Sequence, residues 1–205
     1  MIESMNDTAG VSERDKALRR EAEEILYLPH DTVFPPRLDV QPYLEMRPGN
    51  CAAATMKMLL AFWKRPGHEQ DEGQVDAVLE NGEAGVTNEI FLREARSTFG
   101  FDYDAHEHMR LRDILHFLEE GIPVVVDWTA AYVEDGVPVG HYSIVVELSS
   151  THITLMDPAK AGERTLTHAD FLSAWYDFPG LYLTRSAPVQ KQFAVALYPR
   201  GRFGS

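Results

Sequence analysis

Between Cys51 and Trp63 only Cys51, Thr55 and Lys57 are not plainly apolar. Alanine, leucine and methionine at these positions favour helix. A helix that is apolar on nearly every side must be enclosed by the rest of the fold. Pro48-Gly49 interrupts the chain just before it, and Asn50 is a good N-cap residue. The sequence therefore predicts a helix from Cys51 to Trp63 at the centre of a domain. With 205 residues, a chain of this size buries about 70% of its unfolded surface and needs no disulfide or metal to hold it.

The remaining elements follow from periodicity. Ser12 with Asp15 forms a capping box, and Leu18, Ala22, Ile25 and Leu26 make a narrow stripe, so 12–27 reads as a helix. Pro29, Pro35 and Pro36 then impose an extended connector. Residues 1–36 form an N-terminal arm and 37–205 the main domain. An acidic helix is expected near Gln74–Glu80. Another is opened by Thr87 and closed after Phe99 by Gly100, and a third, through Leu111, Ile114, Leu115 and Leu118, is ended by Gly121. Phe101 and Tyr103 suggest a short strand. Ile122 to Trp128 is nearly continuous in apolar residues and reads as a buried strand. Tyr142 to Leu148 alternates and is followed, after Ser149-Ser150-Thr151, by Ile153–Met156. Thr167 with Asp170 caps a late helix, and Leu181–Thr184 and Gln192–Tyr198 read as late strands. Helices first and antiparallel strands last indicate an α+β fold.

Charge narrows the partners. The net charge is −13, which argues against nucleic acid, because phosphate contacts need clustered Lys and Arg. Residues 66–135 hold 17 acidic side chains against four arginines. That excess reads either as a solubilising face or as a field that attracts a cationic substrate. No stretch is apolar for 18 residues, so no membrane span is expected. The N-terminus has neither a basic region nor an apolar core of a signal peptide, so a cytoplasmic setting is expected. The single cysteine allows no internal disulfide.

Three residues converge on nucleophilic chemistry. Cys51 stands at the opening turn of the central helix, where the partial positive charge favours thiolate and backbone N–H groups can hold an oxyanion. A lone cysteine is more often a small core thiol, so the other two residues matter. His141 opens a strand after the loop Glu134–Gly140. Asp157 ends the next strand. If that hairpin turns about Ser150, Asp157 falls opposite Ser143, on the face of His141 and diagonal to it. A slip of one residue would put it on the other face. Asn50, Asp127, Trp128 and Tyr142 are candidates for the substrate groove. His106, His108 and His116 complete no recognisable metal motif, and no metal or cofactor is expected.

Taken in order, Leu38-Asp39-Val40, Asn50-Cys51-Ala52-Ala53-Ala54, Gly121-Ile122-Pro123-Val124-Val125-Val126, Gly140-His141-Tyr142-Ser143-Ile144-Val145-Val146 and Ile153-Thr154-Leu155-Met156-Asp157-Pro158, with Gly162, Phe171 and Trp175, resemble the papain-like cysteine peptidases related to the bacteriocin-processing, double-glycine leader peptidases. The resemblance spans roughly Leu38 to Asp177. It implies a papain-like α+β fold with the Cys51 helix packed on an antiparallel sheet that carries His141 and Asp157. It further implies a Cys–His–Asp triad and acyl transfer through a thioester. Two departures stand out. Ala52-Ala53 replaces the Gly-Pro usual after the cysteine. The oxyanion glutamine usual five or six residues before it is also missing, since Glu45 and Met46 stand there and Gln41 lies ten upstream. Gln41 is favoured as the oxyanion donor over Glu45, because an amide donates at any pH.

Three functions remain open: a thiol peptidase or amidase, an amide-forming acyltransferase of peptide natural-product assembly using the same thioester, and a non-catalytic binding module on this fold. The expected substrate is a peptide or an amide-containing small molecule. The oligomeric state is not legible.

Overall fold

The computed structural model describes residue 28 and residues 31–81, 85–134, 137–178 and 189–203. The arm helix expected over 12–27 and the strand expected at Leu181–Thr184 lie outside them. Among the described residues three helices come first: α1 (Cys51–Phe62), α2 (Glu72–Val78) and α3 (Asn88–Ser97). Strand β1 (Phe101–His106), helix α4 (Leu111–Glu119) and strands β2 (Val124–Glu134), β3 (Val137–Leu148), β4 (His152–Asp157) and β5 (Gly162–Thr167) follow. Helix α5 (His168–Ala174), the short strands β6 (Tyr176–Asp177) and β7 (Gln190–Lys191), and β8 (Ala194–Pro199) complete the chain.

All pairings are antiparallel, in the order β1-β8-β2-β3-β4-β5 for the main sheet, with β6 and β7 forming a separate pair. The sheet has a core on each face. Helices α1, α2 and α3 cover Val125, Ile144, Val146, Val195 and Leu197. On the other face α4 and α5 cover Val124, Val126, Val145 and Leu155. Neighbouring residues on β2 thus point into different cores, which is why the Val124-Val125-Val126 run is apolar without alternation.

Helix α1 is as enclosed as its composition requires, with Cys51 to Leu60 all buried. Lys57 is tolerated because its ammonium donates to the Gln70 carbonyl and sits over the Tyr43 ring, 4.8 Å from the centroid. Helix α2 starts two residues earlier than expected because Asp71 makes a reciprocal capping box with Gln74, at 2.8 and 3.1 Å. Thr87 caps α3, and Gly100 follows at φ 71, a conformation that favours glycine.

Two expectations need correction. The segment Glu134–Gly140 is not a loop: β2 runs to Glu134 and β3 starts at Val137, with a register shift between Ala130 and Glu134. Pro138 falls at this irregularity, without a partner in the β2–β3 register, and β4 pairs with β3 only from Ile144 on, so the proline breaks no ladder. His141 is therefore within a strand instead of opening one. Strand β5 was not expected at all. It is an edge strand with alternate residues exposed, and its Gly-Glu-Arg-Thr-Leu-Thr sequence carries little apolar signal.

Candidate active site

Cys51 is the first residue of α1. Asn50 precedes it but does not cap the helix with its side chain, contrary to expectation. Its amide donates to Glu72 Oε1 at 2.8 Å and its carbonyl oxygen accepts from Arg47 Nε at 3.0 Å. No acidic residue lies in the first turn. The positive end of α1 is thus left facing the thiol.

His141 lies opposite Trp128 in the β2–β3 ladder, and its ring meets the indole edge-on at 6.1 Å. The Cys51 side chain lies beside it, close enough to act on the imidazole. On its other side, Nε2 is 2.7 Å from Asp157 Oδ1, which leaves Nδ1 as the nitrogen for the thiol. Asp157 ends β4 with 0% exposure. The expected hairpin register holds where it matters: Ile144 pairs with Met156 and Val145 with Leu155, so the next pair inward is Ser143 with Asp157. The one-residue slip does occur, between Val145 and Glu147. It sits toward the turn, so it leaves Asp157 on the His141 face.

Electrostatics follow from these contacts. Burial disfavours a charged His141, but the hydrogen bond to Asp157 and the nearness and negative charge of Asp157 and Cys51 outweigh it and raise the imidazolium pKa to about 10. Burial likewise opposes ionisation of Asp157, yet its bond to His141 and the charges of His141 and Arg164 lower it to about 2. The pair is an imidazolium–carboxylate ion pair across the whole neutral range.

The two oxyanion candidates separate. Gln41 is exposed and its amide donates to Asp39 at 2.7 Å, so the preference for it does not survive the geometry. Glu45 lies at the site. Its backbone N–H donates to the Pro158 carbonyl at 3.0 Å, next to Asp157. Its Oε2 is buried without a hydrogen-bond partner. Burial raises its pKa, the charge of His141 opposes the rise, and Asp157 and Glu72 add to it.

Asn50, Asp127, Trp128 and Tyr142 are each no more than 4% exposed. They support the site from behind and offer no surface to a groove. Tyr142 stacks on Phe91 and donates to Asn88 Oδ1 at 2.7 Å, and Asn88 in turn donates to Asp127 Oδ2 at 2.7 Å. The Asp127 carboxyl also lies near that of Asp177. Burial and the Asp177 charge push Asp127 well up. Asp177 packs flush on Gly140, where a Cβ would fall 2.4 Å from its oxygen. This explains the glycine just before His141.

Sequence reasoning missed Arg164, whose Nε donates to Asp157 Oδ2 at 2.6 Å. It also missed Glu72, which accepts from Met46 N and from Asn50 and so pins the turn before Cys51. The hairpin that places Arg164 beside Asp157 could have been read from alternation at Glu163, Thr165 and Thr167. Among the described residues no three His, Cys, Asp or Glu side chains come together as metal ligands, and no helix is long and apolar enough to cross a membrane.

The model of the Peptidase_C39 like family matches residues 37–182. No curated protein matches the sequence. Among solved structures, a double glycine motif protease from an AMS/PCAT transporter, in complex with the leader peptide, superimposes with a TM-score of 0.57 at 17% identity. The match covers 82% of this chain and 99% of that one. The peptidase domain of Streptococcus ComA, a bifunctional ABC transporter in a quorum-sensing pathway, gives 0.57 at 14% identity, covering 78% and 99%. At these identities the likeness concerns the fold, which is papain-like: a helix packed on an antiparallel sheet.

Proposed function

The chain belongs to the Peptidase_C39 like family, and from that premise we propose that it is a thiol-dependent acyl-transfer enzyme, a peptidase or amidase, with Cys51 as nucleophile, His141 as proton carrier and Asp157 as orienter. One observation carries the reading: a thiol at a helix start stands beside an imidazole whose far nitrogen is held at 2.7 Å by a wholly buried carboxylate. The reactive form of the pair is a thiolate facing an imidazolium. The thiolate attacks an amide carbonyl carbon, and the backbone N–H of Cys51 receives the developing oxyanion. The C–N bond breaks as His141 gives its Nδ1 proton to the leaving amine, leaving a thioester. Water then attacks, losing its proton to His141, and the C–S bond breaks. Glu45, in its protonated form, is the second oxyanion donor.

A peptide substrate is supported by the leader peptide held in the solved relative. A free-thiol nucleophile fits a reducing compartment such as the cytoplasm. Of the 66–135 carboxylates, Glu72, Asp76 and Asp127 are buried against partners. Many of the others are exposed, which supports a negative field able to draw a cationic substrate. Wild-type protein incubated with peptide pools is expected to yield cleaved products and a transient mass increase on Cys51, and Cys51→Ala neither. Added amines that divert the acyl group into new amides would assign the chain to amide formation. Cleavage that persists in Cys51→Ala would remove the reading.

A further inference from the structure

We propose that Arg164 is a positioning residue of this acyl-transfer group, holding Asp157 so that the carboxylate in turn holds His141. The inference rests on the reading of Cys51, His141 and Asp157 given above. Arg164 lies on β5 opposite Leu155 of β4, and its Nε donates to Asp157 Oδ2 at 2.6 Å. The other oxygen, Oδ1, faces His141 Nε2 at 2.7 Å and accepts from the Ala159 N–H at 3.0 Å. A carboxylate bonded through one oxygen can turn about its Cβ–Cγ bond. Bonded through both, to groups on different strands, it has a fixed plane, and the imidazole it carries has a fixed direction toward Cys51.

Trp128 braces both ends of this contact. The Arg164 guanidinium lies 5.3 Å from its ring centroid, and the same indole meets His141 edge-on. The indole is itself fixed by a bond from Nε1 to Ser143 Oγ at 3.1 Å. Arg164 side-chain exposure is 15%, so solvent screens the contact little. The charges that face Asp157 are His141 from β3, Arg164 from β5 and Glu45 from the segment before α1, with Cys51 acting through His141. Arg164 adds the positive charge that keeps Asp157 ionised without drawing the Nε2 proton away from the imidazole. That proton must stay on His141 while Nδ1 serves the leaving group.

The test follows the side-chain carboxyl carbon of Asp157 by NMR titration, together with kcat and KM for a cleaved peptide, in Arg164→Met and Arg164→Lys. In Arg164→Met the Asp157 titration is expected to rise from about 2 by about one pH unit or more. kcat should fall about 10- to 100-fold with KM nearly unchanged. Arg164→Lys, which keeps the charge, should return the titration toward that of wild type and restore part of the rate. If Arg164→Met does not fold, Arg164→Gln, neutral but still a donor, is read in the same way. An unmoved Asp157 titration in either folded neutral variant, or a rate loss carried by KM, would overturn the proposal. Labelling of Cys51 that depends on His141 in the wild-type protein tests the underlying reading separately. If that dependence is present and Asp157 does not move, only the role of Arg164 fails.

Discussion

Asp157→Asn is expected to lower turnover by about 10⁴-fold, the size seen when the acid of a nucleophile–imidazole–carboxylate series loses its charge but keeps its shape. Asparagine fits the site and can still accept from the imidazole, so His141 stays in place. The imidazolium loses the carboxylate that, with Cys51, lifts it to about 10, and the thiolate loses a persistently charged partner. Stability should fall too, by about 3–5 kcal/mol at neutral pH, because His141 and Arg164 are buried or nearly so and lose their shared counter-charge. The pH dependence follows from both partners. His141 is raised on folding, so its contribution is complete below its ordinary 6.5 and is lost as pH climbs through about 10. Asp157 is lowered, so its contribution is complete above its ordinary 3.8 and is lost as pH falls through about 2. These describe one ion pair seen from two sides. Denaturant melts across pH should therefore show the gap between wild type and Asp157→Asn widest between 3.8 and 6.5 and closing toward both ends. A gap that is constant with pH would mean that shape alone, without charge, matters there.

Glu45→Gln is expected to raise activity. A carboxyl group donates to an oxyanion only when protonated. Burial raises the pKa of Glu45, so wild-type kcat/KM should decline as pH climbs through that raised value. An ionised Glu45 also stands near the Cys51–His141 pair as an unwanted negative charge. Glutamine keeps the shape, donates at every pH and carries no charge. One oxyanion donor is worth about 10²–10³ in rate, so the variant should gain about 10-fold or more above the pKa of Glu45 and lose the alkaline decline. A variant no faster than wild type across the range would remove Glu45 from the oxyanion site and leave backbone N–H groups to supply it.

The parts of the fold legible in the sequence were those where burial leaves a strong pattern. Helix α1 is apolar because it is enclosed, and β2 is apolar because both of its faces are. The register that brings Asp157 to His141 could be counted from one turn residue, because a period of two leaves only two choices. What escaped was set by tertiary context. Pro138 and Gly140 look like loop residues, yet they stand in β3 where, among the described residues, its ladder partner is β2 alone. Gly140 is there because Asp177 occupies the space of a Cβ, a contact between strands distant in sequence. Asn50 has the chemistry of a cap but is claimed by Glu72 and Arg47. Asp127 looks like the wall of a groove and is instead buried, bonded by Asn88 and close to Asp177. Gln41 was preferred over Glu45 on chemistry alone, and the chain path decided otherwise, since the Glu45–Pro158 backbone bond brings Glu45 to the site and leaves Gln41 outside.

Activation of Cys51 by His141 is the step on which the proposed chemistry depends. Its most direct measurement is the rate at which a mild alkylating reagent modifies Cys51, followed by intact mass between pH 5 and 9, in wild type and in His141→Ala. Alkylation forms no oxyanion, so it reports on the thiol alone. Wild type should react rapidly already at neutral pH, because the imidazolium, which persists to about 10, favours the thiolate beside it. His141→Ala should react slowly at neutral pH and speed up only as pH approaches the ordinary range of a thiol, about 8.5. Equal rates and equal pH profiles in the two proteins would contradict the account and make Cys51 a core thiol.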